Sequence, residues 1–323
     1  MKKFYKYMSY STLKHFINDP CLRVTPSSCQ NDPFEFGYSA RDVDYLNKAS
    51  SSMKLGTHLS DYSRLHGIIS LTTSKNNILM WSHYADNHKG AVVELYIDDD
   101  NPQSLFINNT GHNKPPFDYQ DFIFDKVSYA KKRRFNGIES EDSLENIKRH
   151  YYFTKAKPWK TEAEYRFITP MNWINKILFS EAGYKRAIEI TNYHPSAFIY
   201  HESSKLHELN PATLDMLPIE ILERLWSQSN MNDTMFFIRL NNGIPGKKAT
   251  RIGRIYLGCH ANHDDFVSLL KNTDYEPRSI MGNYYKFLTD ELCSVSKCEI
   301  DTDEYKLIFK PLEISERQDR RFD

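Results

Sequence analysis

Apolar and polar positions alternate in short runs along most of this chain. The run "FYKYMS" (4–9) alternates and predicts a strand. Ser11 is placed to cap a helix over "TLKHFIN", which ends at Asp19-Pro20, because proline disfavours helical backbone in the residue before it. "CLRVTP" (21–26) predicts a second strand, and frequent β-branching marks a third at "GIISLTT" (67–73). Between them, "NDPFEF" (31–36) is turn chemistry, and 37–66 is polar, helical or irregular. The stretch "ILMWSHYADNHKG" (78–90) reads as a helix and turn feeding the strand "GAVVELYI" (90–97). On that helix Trp81, Tyr84 and Ala85 share one face at i, i+3 and i+4, with His83 offset from it.

Farther along, 98–120 reads as loop, "FIFDKVSYA" (122–130) as a strand and "SLENIKRHYYFTKA" (143–156) as a helix. "EAEYRFIT" (162–169) alternates and predicts a strand. "NWINKILFSEAGYKRAI" and "LPIEILERLWSQ" both read as helical, within an insertion at about 171–232. "TMFFIRL" (234–240), "RIGRIYLGC" (251–259) and "EYKLIFKPL" (304–312) predict strands, and "HDDFVSLLKN" (263–272) a helix with Asp264 and Asp265 in its first turn, as the dipole prefers. The expected fold is mixed α+β, with mainly antiparallel, short-stranded sheets and helical insertions. It is read as a single domain over 1–323, whose motif-bearing core at 4–170 is completed by strands in 234–312. A regular βαβ alternation is missing, which argues against a doubly wound sheet.

Charge changes this picture little. Lys plus Arg and Asp plus Glu each number 42, so there is no global attraction to nucleic acid or anionic membrane. The five cysteines are scattered and no apolar run approaches the roughly 20 residues that span a bilayer, so a reducing, cytoplasmic setting without membrane contact is expected. Aromatic residues make up 14%, enough to fill a large core.

Several stretches could carry chemistry. In a strand, Glu162, Glu164 and Arg166 share one face. That face is either a solvated surface with a cross-strand ion pair, or the wall of a cleft flanked by Trp159, where paired carboxylates and an arginine serve as a base or electrostatic clamp. Asn31-Asp32-Pro33 makes an Asx-type turn, and Asp32 with Glu35 has the ligand chemistry of a Mg²⁺ site. His83 suits proton transfer near neutral pH, although a lone histidine is more often structural. Cys259, His260 and His263 lack the paired spacings of zinc sites, so no metal site is predicted. The signatures of P-loop, Rossmann, HExxH and GxSxG enzymes are absent.

Five pieces in order, "YKY" (5–7), "NDPFE" (31–35), "ISLTTS" (69–74), "MWSHYADNHKGAVVEL" (80–95) and "WKTEAEYR" (159–166), resemble the bacterial family called domain of unknown function 2971. "IYLGCHANHDD" (255–265) matches that family's later strand and helix. The opening strand, helix and strand also look like the start of ADP-ribosyltransferase-like domains. That second resemblance implies NAD as substrate. Lys6 then stands where a His or Arg orients NAD, Ser70 or Tyr84 is the middle element, and Glu162 or Glu164 is the glutamate. Together the residue reading and the two resemblances bring forward Glu164, Glu162, Tyr84 and His83 for chemistry. For binding they bring forward Lys6, Tyr7, Asn31, Asp32, Glu35, Ser70, Ser74, Trp159 and Arg166. The implied function is an NAD-using enzyme, a toxin or defence effector acting on a protein or nucleic-acid target. Two other readings stand beside it. One is a metal-dependent nuclease using Glu35, Glu94, Glu162 and Glu164 with Lys157 or Lys160; the other is a non-enzymatic sensor that binds a partner.

Overall fold

The structure is a computed structural model. It describes residues 1–39, 62–107, 122–133, 143–202, 204–230, 232–241, 251–271 and 294–312, with Arg41, Asp42, Asp44, Lys48 and Phe135 besides. In chain order the strands are β1 (Lys2–Met8), β2 (Cys21–Pro26), β3 (His66–Thr72), β4 (Ala91–Ile97), β5 (Ile123–Lys126), β6 (Ser128–Ala130), β7 (Thr154–Ala156), β8 (Glu164–Pro170), β9 (Lys176–Phe179), β10 (Phe198–His201), β11 (Leu206–Leu209), β12 (Thr234–Arg239), β13 (Ile252–Leu257), β14 (Ser294–Ile300) and β15 (Leu307–Pro311). The expected mixed α+β class holds. Most pairings are antiparallel, while β13–β14 and β6–β7 are parallel. Two compact units divide the chain: Met1–Cys21, Leu71–Leu105 and Leu240–Asp323 form one, and Leu22–Ser70 with Phe106–Arg239 the other. Among the described residues no helix is long and apolar enough to cross a membrane.

In the first unit, β1 and β4 pair along their whole length, from Lys2 opposite Ile97 to Met8 opposite Ala91. β4 pairs next with β13, β13 with β14, and β14 with β15. Six of the seven residues of "AVVELYI" are buried, as a strand covered on both faces requires. Ser9 rather than Ser11 caps the first helix, Tyr10–Asn18, accepting from Thr12 N at 3.2 Å, so that helix starts earlier than its pattern suggests. Asn77 caps the helix Ile78–Tyr84. Trp81 is fully buried, as its helical position predicts. Its indole N–H donates to Lys75 O at 2.8 Å and its ring meets Tyr7 edge-on at 5.4 Å. Three successive residues then take left-handed backbone: Asp86 (φ 50°), Asn87 (φ 50°) and His88 (φ 67°). Gly90 closes this turn, where a Cβ would lie 2.2 Å from Met8 O.

The second unit holds strands in the order β10-β11-β9-β12-β2-β3, with β8 pairing both β3 and β5. Its core gathers Phe36, Tyr62, Ile68, Tyr152, Phe153 and Ile168. Here the sequence reading needs three corrections. The helix expected over 172–188 divides into β9 and the helix Glu181–Thr191, because Ser180 caps at Gly183 N (3.1 Å) and "KILF" is fully buried between β11 and β12. The helix at 143 ends at Tyr152, and Thr154–Ala156 leave it to pair with β6. Glu162 belongs to a 3₁₀ turn rather than to the strand, since Ala163 is left-handed (φ 46°) and β8 starts at Glu164. The polar stretch at 37–66 and the loop at 98–120 lie largely outside the described residues.

Candidate functional site

The second unit buries a cluster of five charged side chains. The two-residue period of β8 puts Glu164 and Arg166 on one face, and that face turns inward: they are 3% and 1% exposed. The solvated-surface reading of this face is therefore excluded. β6 and β7 align Tyr129 with Lys155, which brings Lys155 to the same place. The turn after β7, Lys157–Glu162, returns Glu162 to it, and the "NDPFE" turn supplies Glu35.

Lys155 Nζ sits among three carboxylates, at 2.7 Å from Glu162, 3.1 Å from Glu35 and 3.3 Å from Glu164. Arg166 donates through Nε to Glu164 Oε1 at 2.6 Å, and through Nη2 to Glu164 Oε2 at 3.0 Å and Glu35 Oε1 at 2.9 Å. Its Nη1 donates to the Tyr152 carbonyl at 2.9 Å. Aromatic faces complete the enclosure, with Trp159 4.8 Å from Lys155 Nζ and Phe36 5.5 Å from the guanidinium. Burial alone drives the Glu164 carboxyl upward, but the Arg166 and Lys155 charges, with hydrogen bonds from Arg166 and Ser70, hold it down at about 2. Burial likewise works against the Lys155 charge, and Glu164, Glu35 and Glu162 outweigh it, so its pKa is raised. An isolated buried charge costs several kcal/mol, which is why each member of this cluster faces an opposite one.

A cavity of about 230 Å³ opens beside the cluster. Glu35 and Lys155 line it from the cluster, and Lys131, Lys132, Arg133 and His150 line it from the segment after β6 and the helix Ser143–Tyr152. Asp32 lines it too. Four cationic side chains thus face two carboxylates. Lys131 and Lys132 make no ion pair among the described residues, whereas Arg133 donates to the Gly37 carbonyl. The Asx turn at Asp32 forms as expected, with Oδ1 accepting from Phe34 N at 2.9 Å. Asp32 is 3% exposed, and its Oδ2 is buried without a hydrogen-bond partner among the described residues. Leaving such an atom unsatisfied costs about 1–3 kcal/mol.

The sequence-derived candidates fall in both units. Glu162, Glu164, Glu35, Arg166, Trp159, Asp32 and Ser70 surround the cluster or line its cavity in the second unit, and Asn31 is exposed beside Asp32. Lys6, Tyr7, Ser74, His83 and Tyr84 belong to the first unit. There Tyr7 OH donates to Ser74 O at 3.0 Å, Lys6 is half-buried on β1, Tyr84 packs on the Tyr5–Trp81–Tyr256 core, and His83 is exposed. Glu94 accepts from Tyr256 OH at 3.0 Å and pairs with Lys3 at 3.3 Å, also in the first unit. His260 Nδ1 lies 3.3 Å from Asn87 O, and among the described residues no three His, Cys, Asp or Glu side chains are placed to hold a metal ion. Lys155 and the basic run after β6 escaped the sequence reading. The run "KKRR" at 131–134 was the available signal for the second.

Neither the curated proteins nor the solved structures give a match. Residues 80–167, from the Met80-Trp81 motif to the end of the Glu164–Arg166 motif, match the family described as "Protein of unknown function (DUF2971)", in support of the family resemblance carried by those motifs.

Proposed function

We propose that the second unit binds a phosphate-bearing nucleotide at the cavity beside the buried cluster and acts on it as an enzyme, with NAD the specific substrate that the ADP-ribosyltransferase resemblance suggests. The observation that carries this reading is the cavity wall, where cationic Lys131, Lys132, Arg133 and Lys155 meet in one enclosure with carboxylates. Lys131, Lys132 and Arg133 are exposed, so their attraction for phosphate oxygens is that of a basic cavity rim, to which arginine adds a planar fork. The volume suits a phosphorylated sugar, since complete drug-sized ligands fill about 300 Å³ or more. The adenine and nicotinamide ends of NAD then extend beyond it.

Loss of nicotinamide from NAD builds positive charge at the ribosyl carbon, which a carboxylate fixed nearby stabilises. Glu35 is the cluster carboxylate that lines the cavity; Glu162 and Glu164 act on the same ground through Lys155. A carboxylate held at about 2, as Glu164 is, offers fixed negative charge rather than proton transfer. The nuclease reading has less support, because Lys155 Nζ occupies the centre that a metal ion would take among Glu35, Glu162 and Glu164.

The test is incubation of the purified full chain with NAD, with and without cell extract, following NAD loss and ADP-ribose transfer alongside binding of NAD and ADP-ribose by calorimetry. Turnover or binding that falls at least tenfold in Lys131→Ala/Lys132→Ala supports the reading. Absence of both binding and NAD consumption in every condition overturns it.

A further inference from the structure

We infer that Phe34 is the platform on which the planar base of a nucleotide stacks at the mouth of this cavity, so that the ligand is a base-bearing sugar phosphate rather than a sugar phosphate alone. This rests on the phosphate-binding reading of the same cavity. The "NDPFEF" turn sorts its side chains: Asp32 and the Glu35 side chain are buried and Phe36 packs in the core, whereas Phe34 between them is 60% exposed and lines the cavity. The turn holds it there. Phe34 N donates to Asp32 Oδ1 at 2.9 Å, and Glu35 N donates to the Asp32 carbonyl at 3.1 Å. A single exposed phenylalanine on a convex surface needs no explanation. This one stands in a concave lining, where ligand pockets place their aromatic side chains.

The surroundings of the ring narrow what it meets. The Arg133 guanidinium lies 5.8 Å from the ring centroid, and Lys131, Lys132 and Arg133 line the same recess. Cations for a phosphate beside an aromatic face are the two halves of a nucleotide site: the phosphate goes to the cations, and the base, which has a π-face whatever its identity, stacks on the ring. The volume fixes the order. About 230 Å³ takes a phosphorylated sugar and leaves no room for the base as well. The base then lies at the mouth, where the exposed ring stands. Stacking reads flatness rather than a hydrogen-bond pattern, so adenine and nicotinamide both meet the requirement and must be separated by experiment.

Calorimetry on the full chain compares adenosine 5′-monophosphate, nicotinamide mononucleotide and ribose 5-phosphate, which share the ribosyl phosphate and differ in the base. The proteins are the unsubstituted chain, Phe34→Ala and Phe34→Tyr. At least one base-bearing ligand is expected to bind the unsubstituted chain roughly tenfold more tightly than ribose 5-phosphate. That margin is lost in Phe34→Ala and kept in Phe34→Tyr, which retains the ring face, while ribose 5-phosphate affinity is the same in all three proteins. The ligand that behaves so identifies which end of a dinucleotide rests on the ring. Equal affinity of the unsubstituted chain for all three ligands overturns the inference, as does a margin that survives in Phe34→Ala. A loss in Phe34→Ala that ribose 5-phosphate shares marks a change in the turn and also overturns it. So does a loss in Phe34→Tyr as large as in Phe34→Ala. In each of these cases ribose 5-phosphate still binds the unsubstituted chain, and the phosphate-binding reading survives. If Phe34→Ala does not fold, Phe34→Leu, which keeps apolar bulk without a ring face, takes its place with the same expectations. If none of the three ligands binds the unsubstituted chain, the phosphate-binding reading fails first and the role of Phe34 with it.

Discussion

Both oxygens of Glu164 are engaged by cations, and this fixes how the protein responds to acid. The carboxyl is moved from the ordinary 4.5 to about 2. A folded-state pKa below the unfolded one contributes stability that is present above pH 4.5 and lost as the pH falls toward 2. The shift corresponds to about 3 kcal/mol. Glu164→Gln should flatten stability against pH in that window, read from denaturant midpoints between pH 2 and 6; an unchanged slope would remove Glu164 as the acid-sensitive group. Lys155 acts in the opposite sense: its raised pKa adds stability that is complete below 10.5 and lost as the pH climbs through the folded value. Arg166→Lys keeps the charge but loses the fork that serves Glu164 twice, Glu35 and the Tyr152 carbonyl. We expect about 3 kcal/mol of destabilisation in urea unfolding, near the cost of breaking a buried pair, although the substitution is conservative on the surface of a protein. At this scale the sequence showed that Glu162, Glu164 and Arg166 belong together. A two-residue period tells which side chains share a face and not which face is inside. That second fact depended on Lys155, hidden in a segment whose spacing also suits a helix.

Among the described residues, the turn Asp86-Asn87-His88 is the one with three successive left-handed positions. Left-handed backbone costs a residue other than glycine about 1–3 kcal/mol, with asparagine and aspartate tolerating it best. Asn87 is exposed and sits in the middle. Asn87→Gly should raise the melting temperature by a few degrees and Asn87→Ala should lower it, the two together separating backbone strain from side-chain contacts. If both move in the same direction, strain is not what the turn stores. Element by element, legibility followed pairing. β2 was evident because its alternation agrees with its burial, and β1, β3 and β4 because β-branched and aromatic residues are dense in runs that are buried over most of their length. The hairpin β10–β11 was not, since "FIYH" and "LHEL" are short and carry polar residues, Glu208 being buried through its pairing with Lys176, His201 and Arg239. β9 looked helical because Ile177, Leu178 and Phe179 form a short apolar run without alternation, and its neighbours β11 and β12 decide its state.

At the scale of the whole molecule, each unit is assembled from stretches far apart in the chain, and the cluster repeats this in miniature. Glu35 and Arg166, in contact at 2.9 Å, are separated by 131 positions. Loop closure of that length costs only about 0.6 kcal/mol more for each doubling, so the contact is affordable at equilibrium. Its consequence is kinetic. Neither partner gains from being desolvated until the other arrives, so the cluster belongs to the last events of folding, after β3, β5 and β8 have aligned. Interactions absent from the rate-limiting step show themselves in the escape from the native state. Arg166→Met should therefore speed unfolding by on the order of a hundredfold in stopped-flow jumps while leaving the refolding rate nearly as it was, and slowed refolding would instead place the cluster in the nucleus. The five buried charges then act as a latch, set after the rest has closed, and they govern how long the protein stays folded more than how quickly it folds.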